Sequence, residues 1–200
     1  MRGAPVPDAP VPDVPWVVVG LGNPGPEYAA TRHNAGALSL DVLVERVGGR
    51  LKSHKARADA LEGRLAGQRA VLARPRSYMN ESGGPVAGLL RFFSGSTERL
   101  VVIHDDLDLP FAALRIKLGG GDGGHNGLRS ISRSLSTPDY LRVRLGIGRP
   151  PGRQDPADFV LHDFSAAERK ELPVALERAA DAVEVLLREG LSAAQNAFND

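Results

Sequence analysis

The 200-residue sequence contains no cysteine, no long hydrophobic run and few aromatic residues. The absence of cysteine excludes disulfides, cysteine-ligated zinc or iron–sulfur sites and a cysteine nucleophile, and it fits a reducing compartment. No apolar run approaches the roughly 18 residues that cross a membrane, and the first residues lack the basic and apolar regions of a signal peptide. We therefore expect a cytoplasmic protein that does not associate with membranes.

Charge is balanced over the whole chain but unevenly distributed along it. The formal net charge is +1, from 25 basic and 24 acidic residues. Residues 49–99 contain about ten bases and about four acids, residues 111–153 contain about eight and about two, and residues 154–200 contain about four and about ten. Basic blocks of this kind are compatible with a mixed solvated surface or with an anionic partner, and charge alone does not decide between them.

The chain divides into a short tail and one larger unit. Residues 1–15 alternate proline with small or acidic residues and predict a disordered tail, because such a segment builds neither a helix nor a central strand. Residues 16–200 are long enough for a single hydrophobic core. Apolar runs at 16–19, 69–74 and 100–103 indicate strands, and helical spacing at 38–47 and 85–93 indicates helices between them. We predict an α/β fold, namely a single domain with a mixed twisted sheet flanked by helices.

Two later segments alternate strictly between aliphatic and basic residues. A period of two predicts strands at Leu114–Leu118 and Leu141–Ile147, with the aliphatic side chains facing the core. The same alternation predicts that four bases face outward: Arg115, Lys117, Arg142 and Arg144.

Three further helical stretches are predicted toward the C-terminus. Apolar spacing predicts a short helix over residues 128–135. Ser165 and Glu168 form a capping-box pattern that opens another helix. Pro173 starts or kinks a second stretch, which Gly190 ends.

The segment Gly20–Gly25 has the G-x-G-x-x-G spacing of a dinucleotide-binding loop. That fingerprint needs a helix that begins within the motif, so that its first amides meet the pyrophosphate. Pro24 and Pro26 oppose such a start, because proline removes an amide and disfavours helical geometry in the preceding residue. A nicotinamide-dependent oxidoreductase is therefore the weaker interpretation. The alternative places Asn23 at the carboxyl end of a central strand, where α/β sheets open a ligand crevice.

Several polar side chains follow predicted strands or precede predicted helices. His33 becomes a general-base candidate if a carboxylate accompanies it, because its pKa lies near working pH. The carboxylates at 105, 106 and 108 suit either a divalent metal or an acid that orients a base. The glycine-rich loop 119–127 lacks a Walker lysine, and Asn126 within it either caps the next helix or binds substrate. No serine lies in a G-x-S-x-G elbow, so the set favours activation of water over covalent catalysis.

Six motifs, in this order, resemble those of bacterial-type peptidyl-tRNA hydrolases over about residues 16–165. They are Gly20-Leu-Gly-Asn-Pro-Gly25, Tyr28 with Thr31-Arg-His-Asn-Ala-Gly36, Met79-Asn80-Glu-Ser-Gly83, His104-Asp-Asp-Leu-Asp108, Gly119–Gly127 and Arg144-Leu-Gly-Ile-Gly148. The resemblance implies hydrolysis of the ester bond between peptide and tRNA, which releases free tRNA for reuse in translation. It also implies a cytoplasmic, monomeric enzyme without metal or cofactor, whose partner is the acceptor end of peptidyl-tRNA.

The resemblance assigns roles to individual residues. His33 is implied as the general base that activates water and Asp105 as the acid that orients it. Asn80 is implied as a catalytic residue that donates to the oxyanion. The substrate-binding residues are implied to be Asn23, Tyr28, Tyr78, Asn80 and Asn126, and the tRNA phosphates are implied to contact Lys117 and Arg144.

Two positions depart from the family pattern. Tyr78 stands where phenylalanine is more usual, and Arg149 stands where histidine is familiar.

A non-catalytic RNA-binding relative of the same fold is the alternative function. Retention of His33, Asp105 and the three asparagines argues against it, since a binding protein needs neither a base nor its orienting acid.

Overall fold

The computed structural model describes residues 13–199, so that most of the predicted tail lies outside the described residues. Seven strands form one mixed sheet. The strands are β1 (Trp16–Gly20), β2 (Lys52–His54), β3 (Ala58–Leu65), β4 (Gln68–Pro75), β5 (Leu100–Asp106), β6 (Leu114–Leu118) and β7 (Leu141–Gly146). The helices are α1 (Ala35–Val47), α2 (Gly83–Phe92), α3 (Asn126–Leu135), α4 (Pro156–Val160), α5 (Ala166–Glu189) and α6 (Leu191–Phe198).

The order of the strands places β1 at the centre of the sheet. The order is β2-β3-β4-β1-β5-β7-β6. Strands β4, β1, β5 and β7 are parallel to one another, whereas β3 and β6 run antiparallel to their neighbours. The carboxyl ends of the four parallel strands therefore meet at one edge, where an open α/β sheet forms its ligand crevice. The predicted mixed α/β sheet is confirmed.

Helices cover both faces of the sheet, and β1 shows how the sequence specifies this. Val18 packs with residues of α1 and α5, such as Leu40 and Ala179. Val17 and Val19 point to the opposite face, among residues of α2 and α3. Because alternate side chains of a strand point to opposite faces, an uninterrupted apolar run is what a strand covered on both faces requires.

Two predictions about secondary structure are corrected. Strands β2 and β3 were not predicted, because their many exposed and charged residues give no apolar alternation. Pro173 does not start a second stretch, since α5 continues through it. Pro173 is exposed, so water can take the place of the hydrogen bond that proline cannot donate. The capping box at Ser165 and the helix end at Gly190 are confirmed.

The outward orientation of the bases on β6 and β7 is only partly correct. Arg115 pairs across the strands with Arg144, and Lys117 with Arg142, so all four side chains start from one face. Arg115 is exposed and Lys117 and Arg144 are partly exposed, but Arg142 is completely buried. Period two specifies the face of a strand, whereas burial depends on what covers that face.

The glycine-rich loop is what covers Arg142. The guanidinium donates to the carbonyl oxygens of Gly121 at 2.7 Å, Gly120 at 2.9 Å and Pro138 at 3.0 Å. It also lies 4.6 Å from the centroid of the Tyr140 ring. The two terminal NH₂ groups of this buried cation are thus bound by backbone carbonyls, its Nε has no hydrogen-bond partner, and the three carbonyl contacts hold the loop over the sheet.

Candidate active site

The predicted base and acid meet at the carboxyl edge of the sheet. His33 lies in a 3₁₀ turn just before α1, and Asp105 lies near the end of β5. The Nδ1 atom of His33 is 2.9 Å from Oδ2 and 3.0 Å from Oδ1 of Asp105. Both residues are buried, so the hydrogen bond between them is shielded from water.

A second histidine, which the sequence analysis did not single out, contacts the same carboxylate. The Nε2 atom of His125 is 2.9 Å from Oδ1 of Asp105. Its Nδ1 accepts from the backbone amides of Gly127 and Leu128, which makes His125 the N-cap of α3. Because Nδ1 is an acceptor, Nε2 carries the proton and donates it to Asp105. Asn126, one of the candidates for that cap, is instead the first residue of the helix, and its side chain is exposed.

The pKa shifts follow from this arrangement. Burial raises the pKa of Asp105, but His33 and His125 outweigh burial and hold it well below its usual value. Burial lowers the pKa of His33, but the charge and hydrogen bond of Asp105 outweigh burial and raise it. Asp105 is therefore ionised, and in its neutral form His33 donates through Nδ1 to this carboxylate and keeps a lone pair on Nε2.

His104 borders the same site but does not share its chemistry. Its Nδ1 donates to the carbonyl oxygen of Asp105 at 2.7 Å. Burial and the neighbouring His125 lower the pKa of His104 to about 3. The ring is consequently neutral at physiological pH and packs beside His125, with ring centroids 5.1 Å apart.

A cavity of about 300 Å³ opens in front of the two histidines. His33, Asp105 and Asn126 line it, and α4 provides part of its opposite wall through Pro156 and Val160. The structure thus brings three of the predicted site residues to one cavity. Asn23 lines a different cavity of about 370 Å³, with Arg74 and Arg76.

Helix α4 contacts Arg32, the residue directly before His33. Arg32 donates to Glu168 Oε2 at 2.9 Å, and its guanidinium lies 4.1 Å from the centroid of the Phe159 ring. Glu168 also accepts from the backbone amide of Ser165, within the capping box of α5. One side chain therefore links the 3₁₀ turn of His33 to the cavity wall and to the start of α5.

The remaining predicted substrate-binding residues lie near the turn that follows β4. Asn23 Oδ1 accepts from the backbone amide of Met79 at 2.7 Å, which leaves its NH₂ group free to donate. Asn80 lies in the 3₁₀ turn Met79–Glu81 and is exposed. Tyr28 and Tyr78 meet edge to face with ring centroids 6.4 Å apart, and Tyr78 is 56% exposed.

The three carboxylates at and just beyond the end of β5 do not converge on one point. Asp106 accepts from Arg144 Nε at 2.8 Å, and Asp108 accepts from Arg149 Nε at 3.0 Å, whereas Asp105 binds the two histidines. Ligand atoms of His33, Asp105 and His125 do lie within 4.8 Å of one another. Hydrogen bonds between them account for this cluster without an ion.

The two predicted phosphate contacts lie together on the face of β6 and β7. Arg144 keeps NH groups free beside its bond to Asp106, and Lys117 extends against Gly120, where a Cβ would meet Nζ at 2.6 Å. Burial, then Arg144 and Arg142, lower the pKa of Lys117. Like charges held this close produce a local positive potential on this face.

The loop Gly20–Gly25 does not have the geometry of a dinucleotide site. Helix α1 begins only at Ala35, after a turn and the 3₁₀ segment Arg32–Asn34. The first turn of α1 packs against Gly20 and Gly22, and the backbone amide of Ala37 donates to the Leu21 carbonyl at 2.9 Å. That amide is therefore not available to a pyrophosphate, as the nicotinamide interpretation would require. Gly36, in the second of the six motifs, has a packing role. A Cβ there would lie 2.1 Å from the Ile103 carbonyl oxygen, so only glycine lets α1 pack directly on the sheet.

Comparison with known proteins places the chain among its relatives. The family model described as peptidyl-tRNA hydrolase matches residues 17–200. The peptidyl-tRNA hydrolase of Frankia casuarinae is 64% identical over 95% of this chain and 96% of its own length, and that of Nocardia farcinica is 67% identical over 91% and 95%. A crystal structure of the Acinetobacter baumannii enzyme covers 94% of this chain and 97% of its own, with 35% identity and a TM-score of 0.86.

Fold, site and similarity together define an ester hydrolase built on an α/β sheet. None of the helices among residues 13–199 has the length and apolar character needed to cross a membrane. Within the hydrolases, the chain belongs to the peptidyl-tRNA hydrolase family.

Proposed function

We propose that the protein hydrolyses the ester bond of peptidyl-tRNA with water that His33 activates. Membership of the family makes the protein an ester hydrolase that acts on peptidyl-tRNA. The observation that carries the mechanism is the 2.9 Å contact between His33 Nδ1 and Asp105, with His33 at the wall of an open cavity. Asp105 fixes the tautomer in which Nε2 is the base.

The reaction proceeds by general-base catalysis. His33 Nε2 takes a proton from water, the water oxygen attacks the ester carbonyl, and Asp105 stabilises the resulting imidazolium. The exposed amide of Asn80 donates to the developing oxyanion, a contribution typically worth roughly 10²–10³ in rate. His33 then returns its proton to the departing ribose oxygen, and free tRNA and peptide are released.

Substrate binding is divided between two parts of the site. The amide groups of Asn23 and Asn126 hold the peptide backbone or the terminal nucleoside, and Tyr28 and Tyr78 provide aromatic faces beside them. Lys117 and Arg144 contact phosphates, which positions the RNA without reading its sequence.

We also propose that the enzyme acts as a monomer in the cytoplasm. Light scattering on the purified protein tests whether it is a monomer.

Steady-state cleavage of a peptidyl-tRNA tests the mechanism. His33→Ala should lower kcat by about 10²–10⁴, because general-base assistance is worth that much. His162→Ala is the matched control, because His162 is exposed and its ring has one hydrogen bond within residues 13–199, to the Asp158 carbonyl. Near-normal turnover in His33→Ala would refute the assignment. Absence of cleavage by the unmodified protein, with tRNA binding retained, would favour the RNA-binding alternative.

A further inference from the structure

A block of positive charge remains unexplained by the contacts of Lys117 and Arg144. Residues 49–99 carry about ten bases against about four acids. Three of these bases lie just beyond the ends of β2 and β4, next to an aromatic side chain on α2. We define the β2–α2 surface by its four members, Lys55, Arg57, Arg76 and Phe92.

The β2–α2 surface lies at the same edge of the sheet as the catalytic residues. Ala58 pairs with His54, the last residue of β2, and also with Pro75, the last residue of β4. Strands β2 and β4 therefore end at the same level, and β4 runs parallel to β1. The two basic surfaces lie on opposite sides of the catalytic pair along the sheet, whose edge strands β2 and β6 are six strand spacings, or roughly 29 Å, apart.

Direct contacts make the β2–α2 surface continuous. The backbone amide of Arg76 donates to the Arg57 carbonyl at 2.8 Å, and Arg76 Nη2 donates to the His54 carbonyl at 3.2 Å. Lys55 Nζ lies 4.7 Å from the centroid of the Phe92 ring, which also packs against His54. Phe92 is 49% exposed, so its ring is accessible beside the ammonium group.

The charges of this surface are poorly neutralised by the protein. Within residues 13–199, neither Lys55 nor Arg57 forms an ion pair, and Arg76 has only Asp59, at 3.7 Å. The guanidinium of Arg57 lies over the first turn of α2, since a Cβ on Gly84 would be 2.7 Å from its Nη2. The positive end of a helix repels a cation. Arg57 also has a left-handed backbone with φ of 57°, so this arrangement does not follow from stability alone.

We propose that the β2–α2 surface is a second RNA-binding surface, which holds phosphates of the substrate on the flank opposite Lys117 and Arg144. Exposed cations suit phosphates, and an exposed aromatic ring beside them suits stacking of an unpaired nucleotide. The proposal rests on the proposed function, because it takes tRNA as the ligand. It extends that function by giving the RNA contacts on both sides of the ester.

Equilibrium binding of deacylated tRNA at several salt concentrations tests the proposal without requiring turnover. The variant is Lys55→Gln with Arg57→Gln. The matched control is Lys170→Gln with Arg64→Gln, which removes two exposed bases, one of them at the opposite end of β3. Each phosphate contact contributes roughly 0.9 to the slope of log K against log salt concentration. We expect the variant to lose up to about 2 units of slope and the control to keep the slope of the unmodified protein.

Two further measurements make the test specific. The Lys55/Arg57 variant should raise KM for peptidyl-tRNA and leave kcat unchanged, because its residues do not touch the ester. Phe92→Leu should weaken tRNA binding by at least about fivefold with an unchanged salt slope, because stacking carries no charge. An unchanged slope in the double variant, or an equal loss in the control, would overturn the proposal. Unchanged affinity in Phe92→Leu would overturn the stacking role. Failure of the proposed function would show separately, as absence of hydrolysis by the unmodified protein.

Discussion

The substitution Asp105→Asn tests the catalytic pair most sharply, because it preserves size, removes the charge and replaces one acceptor oxygen with a donor NH₂ group. Oδ1 of Asp105 accepts from both His33 Nδ1 and His125 Nε2, whereas Oδ2 accepts from His33 alone. An asparagine has one oxygen for these two positions. His125 cannot change its tautomer, because two backbone amides donate to its Nδ1. We therefore expect the asparagine oxygen to occupy the Oδ1 position and its NH₂ group the Oδ2 position.

That orientation has a definite consequence for the base. The NH₂ group would lie about 2.9 Å from His33 Nδ1, the distance that Oδ2 has now. His33 would then accept at Nδ1, carry its proton on Nε2 and lose the lone pair that activates water. Loss of the correct tautomer in a carboxylate–histidine pair typically lowers kcat by about 10⁴. We expect a decrease of roughly 10³–10⁴ in kcat, with KM nearly unchanged.

The pH dependence provides a second signature of the same substitution. The carboxylate raises the pKa of His33 against the effect of burial, so its removal leaves burial dominant and the pKa falls. The acid limb of the kcat/KM profile, on which His33 loses its proton, should therefore move to lower pH. Asp108→Asn is the control, because Asp108 pairs with Arg149 on the surface. A loss of less than about tenfold with an unmoved acid limb would refute this reasoning.

Three further variants have distinct expected outcomes. Arg142→Met should lower the free energy of unfolding by about 2–4 kcal/mol in thermal or denaturant unfolding, because three carbonyl oxygens lose a charged donor; an unchanged midpoint would contradict the role in the loop. Lys117→Gln with Arg144→Gln should raise KM more than it lowers kcat and reduce the salt slope by up to about 2, and an unchanged slope would count against phosphate contacts. His125→Ala should lower kcat by about 10–100-fold in single-turnover cleavage, because Asp105 loses one of two orienting donors, and full activity would show that His33 alone suffices.

Much of the fold could be predicted because its strands and helices follow simple periodicities. The apolar run of β1 and the strict alternation of β6 and β7 each correspond to an observed strand. Strand β2, by contrast, lies at an edge of the sheet and is mostly exposed, so neither periodicity nor composition distinguishes it from a loop. Local pattern identifies an element when that element buries one face, and it fails where little is buried.

The site could be predicted only in part, because its residues are distant in sequence. His33 and Asp105 are separated by 72 positions, and their pairing came from resemblance to a family rather than from spacing. Arg142 and Lys117 have the same alternation signal, and only the covering glycine loop makes one buried and the other accessible. The sequence gives only a weak indication of the role of His125, namely a polar residue directly before a predicted helix. Histidine is an unusual N-cap, and the neighbouring Asn126 is of the type preferred at that position.

Through the contact of Arg32 with Glu168 and Phe159, the acidic segment 154–200 influences chemistry in which none of its side chains takes part. A shortened or lengthened connection between α4 and α5 would shift Phe159 relative to Glu168. Because the Arg32 guanidinium contacts both residues, the shift would displace Arg32 and, with it, the neighbouring His33. Length changes there should impair turnover even in a protein whose fold and RNA affinity survive intact.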